Sequence, residues 1–378
     1  MNKLFKNSLI VFSLFSIHSC GENSSNTESS ANLELTYEID TVMVDPGEGF
    51  IYLKRALSAS TLSQDQKTLF NFNFDAVELE VIDLEKLQLV DRIPMDAEGP
   101  LGVGMPSSLV ITEDGNFHFP NFYDLRTFTP QLDSMTMFHL TRQKFEQLDP
   151  EESLKPEYLV SKDGKMLFVT YGPEDWEQSN RGLAVLSLQE KSLKKIPLEI
   201  FSRLEVFLTS LYQDGNLQMR TIEPVYFHQR DERLLISSSS FNDAYILDLK
   251  SDSVSHVVYQ SAFTQNSKKV PEKTTFESPE EMRANFRAMN ESVNFSPFYF
   301  DEKSRRFFRF SRDLDRMIGD SATFKKVVTI FDEDLNQLHE APFPLDIFGF
   351  KFFKDGKLWS FVNLDDELGF EIFTLELN

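Results

Sequence analysis

Six copies of one short signal constrain this chain more than any other feature. Each copy is an apolar strand, a polar turn usually reading Asp-Gly-Lys, and a second apolar strand. The turns centre on Gln66, Gly115, Gly164, Glu232, Ser304 and Gly356, spaced 49, 49, 68, 72 and 52 residues apart. Units of roughly 40 to 50 residues built from short strands are the signature of propeller blades. The expected fold is an all-β, six-bladed β-propeller spanning residues 33–378.

The two ends of the pattern are complementary. A strand over Leu33–Val44 precedes the first copy, and the sixth copy supplies only three strands before the chain stops. If the N-terminal strand completes the last blade, no unpaired edge remains at the join. In the second blade, strands are expected over Asn116–Tyr123 and, as the third, near Met135–Leu140. Two insertions account for the long spacings. Leu198–Gln218 carries apolar residues at helical spacing. Ser278–Asn290 is the expected short helix, with Ser278 as N-cap, Pro279 at the first position and Glu281 completing a capping box. Met282, Phe286 and Met289 then share the face that packs on the frame.

Connections between first and second strands, and between third and fourth, are tight. Those between second and third strands, and from blade to blade, vary in length. Alternate turns of an up-and-down sheet lie at opposite ends. The long loops are therefore expected on one face, where binding usually sits.

Lys3 and Lys6 precede a ten-residue apolar run, Ser8–Ile17, which is too short to span a bilayer and fits a signal-peptide core. Ile17-His-Ser-Cys20 follows, with a small residue just before the chain's single Cys. Residues 1–19 read as a lipoprotein signal peptide, and Cys20 as the lipid-attachment residue and membrane anchor. Gly21–Asn32 is polar and reads as a flexible tether with a reach of ~20 Å. Gly21 in place of an inner-membrane retention Asp points to the outer membrane of a bacterial envelope. The formal net charge of −22 excludes a general affinity for nucleic acid. One Cys excludes internal disulfides and thiolate metal clusters.

Several stretches together resemble an uncharacterised family of bacterial lipoproteins with a six-bladed, TolB-like propeller. They are the Cys20 lipobox, Glu38-Ile-Asp-Thr-Val42, Glu98-Gly-Pro-Leu-Gly-Val-Gly104, Phe295-Ser-Pro-Phe-Tyr-Phe-Asp301 and Arg305-Arg-Phe-Phe-Arg-Phe310. The resemblance covers residues 33–378 and implies no particular activity.

No motif announces catalysis or a cofactor. The His residues are scattered, and Gly-x-Ser-x-Gly is missing. Asp313–Asp320 begins like a calcium loop but has Met317 and Ile318 where a ligand and a glycine are needed, so it reads as a solvated loop. Glu98, Tyr171, Asp175, Trp176, Arg181 and Arg312 are the candidate ligand-binding residues, placed on rim loops where aromatic, acidic and Arg groups suit a sugar, peptide or protein. The expected role is binding or scaffolding, with an envelope protein or glycan as partner. The alternative is a hydrolase of a small glycan or lactone at the channel.

Overall fold

The computed structural model describes residues 33–140, 143–175 and 178–378. The signal-peptide, Cys20 and tether readings lie outside the described residues, as does Trp176. The fold is all-β and propeller-like. Six four-stranded antiparallel sheets follow one another along the chain. Sheet one comprises Ser60–Leu62, Thr68–Asn73, Glu78–Asp83 and Gln88–Pro94; sheet two Val110–Ile111, Phe117–Pro120, Asp124–Phe128 and Met135–His139. Sheet three comprises Glu152–Val160, Met166–Pro173, Gly182–Ser187 and Leu193–Pro197; sheet four Val225–Arg230, Arg233–Ser238, Asp243–Asp248 and Val254–Val258. Sheet five comprises Asn294–Asp301, Arg306–Ile318, Ser321–Phe331 and Gln337–Pro342.

Sheet six takes Lys351–Lys354, Lys357–Leu364 and Glu367–Leu377 from the C-terminus and Leu35–Met43 from the N-terminus. Leu35 pairs with Leu377 and Met43 with Gly369, without a register break. Glu34 and Asn378 exchange backbone hydrogen bonds of 3.0 and 3.1 Å beyond the last pair.

Strand periodicity explains the core. Successive side chains leave a strand on opposite faces, and here both faces are buried. Leu167 faces sheet two and Phe168 faces sheet four. Leu234 and Leu235 divide likewise between sheets three and five, and Phe307 and Phe308 between sheets four and six. Each core therefore joins one sheet to the next. The sixth joins the last sheet to the first, through Trp359 and Phe370 against Leu69 and Ile82. Burial on both faces is why these strands read as near-continuous apolar runs, and why the chain carries 37 Phe.

The repeated turn has a local cause. Ser63, Thr112 and Ser161 donate their hydroxyls to Asp65, Asp114 and Asp163, each at 2.6 Å. Each Asp also accepts the backbone N–H two residues on. The residue between sits at positive φ: Gln66, Gly115 and Gly164. In the fourth and fifth copies the positive φ falls on Asp231 and Arg305, one residue from the expected Glu232 and Ser304.

Three expectations need correction. The third strand of sheet two is Asp124–Phe128, and Met135–His139 is the fourth. Asp313–Ile318 is no loop: it continues a strand paired with Ser321–Lys325. Most connections between second and third strands are short, so the added length lies in the six links between sheets. The fourth-sheet link and the one before it also build a separate three-stranded sheet from Asn216–Thr221, Thr209–Gln213 and Thr275–Phe276.

Among the described residues there are two α-helices, α1 (Glu199–Leu204) and α2 (Pro279–Glu291). The apolar run after Leu198 forms only six helical residues before a 3-10 turn and the strand Thr209–Gln213. At α2, Ser278 accepts from the Glu281 N–H, but the Glu281 carboxylate turns to Lys273 at 2.7 Å. Met282 and Met289 are buried, and Phe286 packs beside them.

Candidate functional site

The sheets present two unlike ends. One carries the tight Asp-containing turns, which touch each other: the Glu113 N–H donates to the Lys162 carbonyl at 2.8 Å, and the Lys162 N–H to the Gln229 side chain at 2.9 Å. The other carries the six links, residues 44–59, 95–109, 140–151, 198–224, 259–293 and 343–350. Two groups of charged side chains at this link end are partly or fully buried.

The densest group surrounds Glu223, just ahead of the first strand of sheet four. Its Oε2 accepts from Lys268 Nζ at 2.6 Å, Ser239 Oγ at 2.6 Å and Ser240 Oγ at 2.9 Å. Lys268 is 4% exposed, and burial pushes its ammonium below the usual lysine range although Glu223 opposes the shift. Its own N–H is fixed by the Ser240 carbonyl at 2.8 Å. The pair joins two links 45 residues apart in sequence, and its cost of burial is offset by these further hydrogen bonds.

Glu223 also lines a 30 Å³ cavity between sheets three and four, walled by Phe201, Leu204 and Ile222. Lys155 and Glu157 reach it from the first strand of sheet three. Glu157 accepts from Thr170 Oγ1 at 2.8 Å and Asn180 Nδ2 at 3.4 Å. Lys155 Nζ donates to the Pro173 carbonyl, and burial lowers its pKa. A cavity of this size holds about one water. The arrangement is suited to hydrogen bonding and charge pairing, with the polar groups already held in place.

A second group lies where sheets five and six meet the link 343–350. Arg312 stands between the rings of Phe324 and Phe348, its guanidinium carbon 4.4 and 4.3 Å from the two centroids. Lys326 pairs opposite Arg312 in the sheet and reaches Asp346 at 3.2 Å.

The residues singled out from sequence do not converge. Tyr171 is 3% exposed and belongs to the core between sheets two and three, not to the rim; burial raises its pKa. Arg181 lies beside it and binds Glu152 at 2.8 Å, where Lys195 also binds at 2.7 Å. Asp175 is exposed in the following turn, with Gln178 Nε2 at 3.3 Å. Glu98 is exposed in the link 95–109. That glycine-rich link is packed against sheet two: Arg126 donates to the Gly102 carbonyl at 2.5 Å, and a side chain at Gly104 would strike the Arg126 guanidinium. Arg312 lies at the link end but on a strand. Glu223, Lys268, Lys155 and Glu157 had no sequence signal, because no motif brings them together.

Among the described residues, no group of three or more His, Cys, Asp or Glu is placed to hold a metal ion. No described helix is long and apolar enough to cross a membrane. Fold and site together define a propeller-like all-β protein with a buried, paired carboxylate and ammonium at its link end. The chain belongs to the family described as a domain of unknown function, DUF4221, which matches residues 31–342. It is similar to the crystal structure of a member of that family from Bacteroides vulgatus, at a TM-score of 0.65 and 14% identity over 92% of this chain and 99% of that one. It is also similar to a Bacteroides fragilis protein inferred to be exported, at a TM-score of 0.51 and 9% identity over 90% and 95% of the two chains. No curated protein matches the sequence.

Proposed function

We propose that this protein is a lipid-anchored binding module of the bacterial envelope. It is a closed six-bladed propeller of TolB-like type, held at the outer membrane through Cys20, and it takes its partner, an envelope protein or glycan, on the link end. The observation that carries this reading is the asymmetry of the two ends. One end is finished by short turns. The other is elaborated by six links, a three-stranded sheet, two helices and a buried Glu223–Lys268 pair. Loops held on a rigid frame are where recognition is usually built. Support for the ring comes from the core that joins sheet six to sheet one. Support for the address comes from the Cys20 motif and from the inferred export of the Bacteroides fragilis neighbour.

The test has two arms. Labelling cells with an alkyne fatty acid is expected to mark the wild-type chain and not Cys20→Ala, which should leave the membrane fraction. Purified mature chain is expected to be retained on immobilised envelope polysaccharide or envelope protein of its host. A chain with the link 259–293 replaced by a short turn should not be. Unlabelled wild type would overturn the anchor, and equal retention of the shortened chain would overturn the binding end.

A hydrolase is the second reading, because two carboxylates, Glu157 and Glu223, line one cavity. The cavity's water-sized volume and the engagement of Glu223 by Lys268 weigh against it. Turnover of nitrophenyl glycosides or lactones, lost in Glu157→Gln and Glu223→Gln, would restore it.

A further inference from the structure

The group around Arg312 is out of charge balance. Three cations, Arg312, Lys326 and Lys351, share one nearby carboxylate, Asp346. Lys326 Nζ lies 3.2 Å from Asp346 Oδ2, while Arg312 Nη1 stays 3.8 Å from Oδ1, beyond hydrogen-bond distance. Lys351 has no carboxylate within salt-bridge distance among the described residues. Its ammonium donates to the carbonyls of Phe348 and, at 3.2 Å, Gly349. Only 5% of Lys351 is exposed, and burial lowers its pKa to about 8. The residue after Arg312, Asp313, makes no ion pair with these cations among the described residues; its carboxylate accepts the Gln265 N–H of another link at 2.9 Å.

The Arg312 guanidinium is underused. Among the described residues its one hydrogen bond goes from Nη2 to the Asn290 carbonyl, at 3.3 Å. Its Nε is buried and has no partner. Phe324 and Phe348 stack on it and fix its plane. A guanidinium held in this way keeps donors along its edge, the geometry that receives a planar or tetrahedral oxyanion. Phe348 is 60% exposed, so the group reaches solvent beside an apolar ring.

Such an arrangement is costly to bury. Lys326 opposes the charge on Lys351, Arg312 is itself desolvated, and a single aspartate does not neutralise the three. It is also unexpected in a chain whose net charge is −22. An arriving anion removes the imbalance.

We infer that Arg312, Lys326 and Lys351 form a binding site for an oxyanion, a carboxylate or phosphate carried by the ligand, with Phe348 packing against the adjoining part of that ligand. The inference deepens the reading of the link end as the binding end and rests on it. Its test is independent of the anchor and of any envelope partner, because it uses small probes on the purified chain.

Isothermal titration of the mature chain at low ionic strength with D-glucuronate, inorganic phosphate and D-glucose separates the cases. Saturable binding of glucuronate or phosphate, with none of glucose, is expected. Glucuronate alone assigns the site to a carboxylate ligand, and phosphate alone to a phosphorylated one. Arg312→Gln and Lys351→Gln should each weaken that binding about tenfold or more, the loss of one charge-assisted contact. Should either variant fail to fold, Lys326→Gln at the exposed edge should weaken both anions, and Phe348→Ala should weaken glucuronate more than phosphate. Absence of saturable anion binding by the wild type, or undiminished binding by the folded variants, would overturn the site.

Discussion

Arg309 of sheet five donates through Nη1 to the backbone carbonyl of Asp243 in sheet four, 3.2 Å away. The same guanidinium answers the carbonyls of Ser238 at 2.8 Å, Phe241 at 3.1 Å and its own sheet's Ser296 at 3.1 Å. Arg309 is 2% exposed, and its rings of contact are Phe295 and Phe298. One side chain thus closes the turn of one sheet from within the next. Burial lowers its pKa to about 10, so it still carries its charge at neutral pH.

Replacing that cation with an apolar chain takes the donor from three buried carbonyls and a half-buried one. Arg309→Met is expected to cost about 3 kcal/mol or more, given roughly 1 kcal/mol for each carbonyl left unanswered. Arg309→Lys should recover only part, since an ammonium cannot match the planar fork. Urea unfolding of the three proteins checks this, and an unchanged midpoint in Arg309→Met would refute the keystone role.

Acid should weaken the fold through His118. Thr112 gives its hydroxyl hydrogen to Asp114 and accepts from His118 Nε2 at 3.0 Å, while Thr127 donates to Nδ1 at 2.9 Å. Burial lowers the pKa of the ring to about 4, so it is neutral above that pH. The folded value lies below the unfolded 6.5, so no penalty exists above pH 6.5. As pH falls from 6.5 towards 4, the unfolded chain takes up the proton first and stability drops, by roughly 1.4 kcal/mol per pH unit. His118→Gln should flatten the stability profile by that slope in this window. Parallel profiles for wild type and variant would exclude the mechanism.

The Glu223–Lys268 pair should be expensive to break and cheap to remove. Lys268→Met leaves a buried carboxylate with only two serines and is expected to cost about 3 kcal/mol or more. Glu223→Met combined with Lys268→Met should recover much of that loss. A double-mutant cycle from thermal or urea unfolding decides it. Additive losses would mean that the two residues do not act as a pair.

Deleting Leu35–Met43 should open sheet six. The strand Glu367–Leu377 would lose its neighbour along its whole length and expose a free edge. The shortened protein is expected to aggregate or dimerise in light scattering, and a peptide of residues 33–44 added in trans should suppress this. A monomeric, equally stable deletion would show that the N-terminal strand is dispensable.

The sheets were legible because their turns carry a local code. Ser or Thr, then Asp, then a residue at positive φ specify a reversal without tertiary help, as at Ser161-Lys-Asp-Gly164. Asp124–Phe128 escaped notice because Asp124, Arg126 and Thr127 interrupt the apolar pattern. Arg126 is tied to Asp124 at 3.0 Å and to the Gly102 carbonyl, contacts that only the folded chain supplies. Tyr171 was misplaced because its strand runs on to Pro173, past the point where the apolar run ends. The polar groups at the link end were invisible for a deeper reason. Glu223 and Lys268, like Arg312 and Lys351, are far apart in sequence, and each alone looks like an ordinary surface charge.

The register of Leu35 with Leu377 also decides orientation. Leu35–Met43 runs from the tight-turn end towards the link 44–59, antiparallel to Glu367–Leu377. Glu34 and Asn378 therefore meet at the plain end, so a label fused after Asn378 leaves the side with Glu223 and Arg312 uncovered.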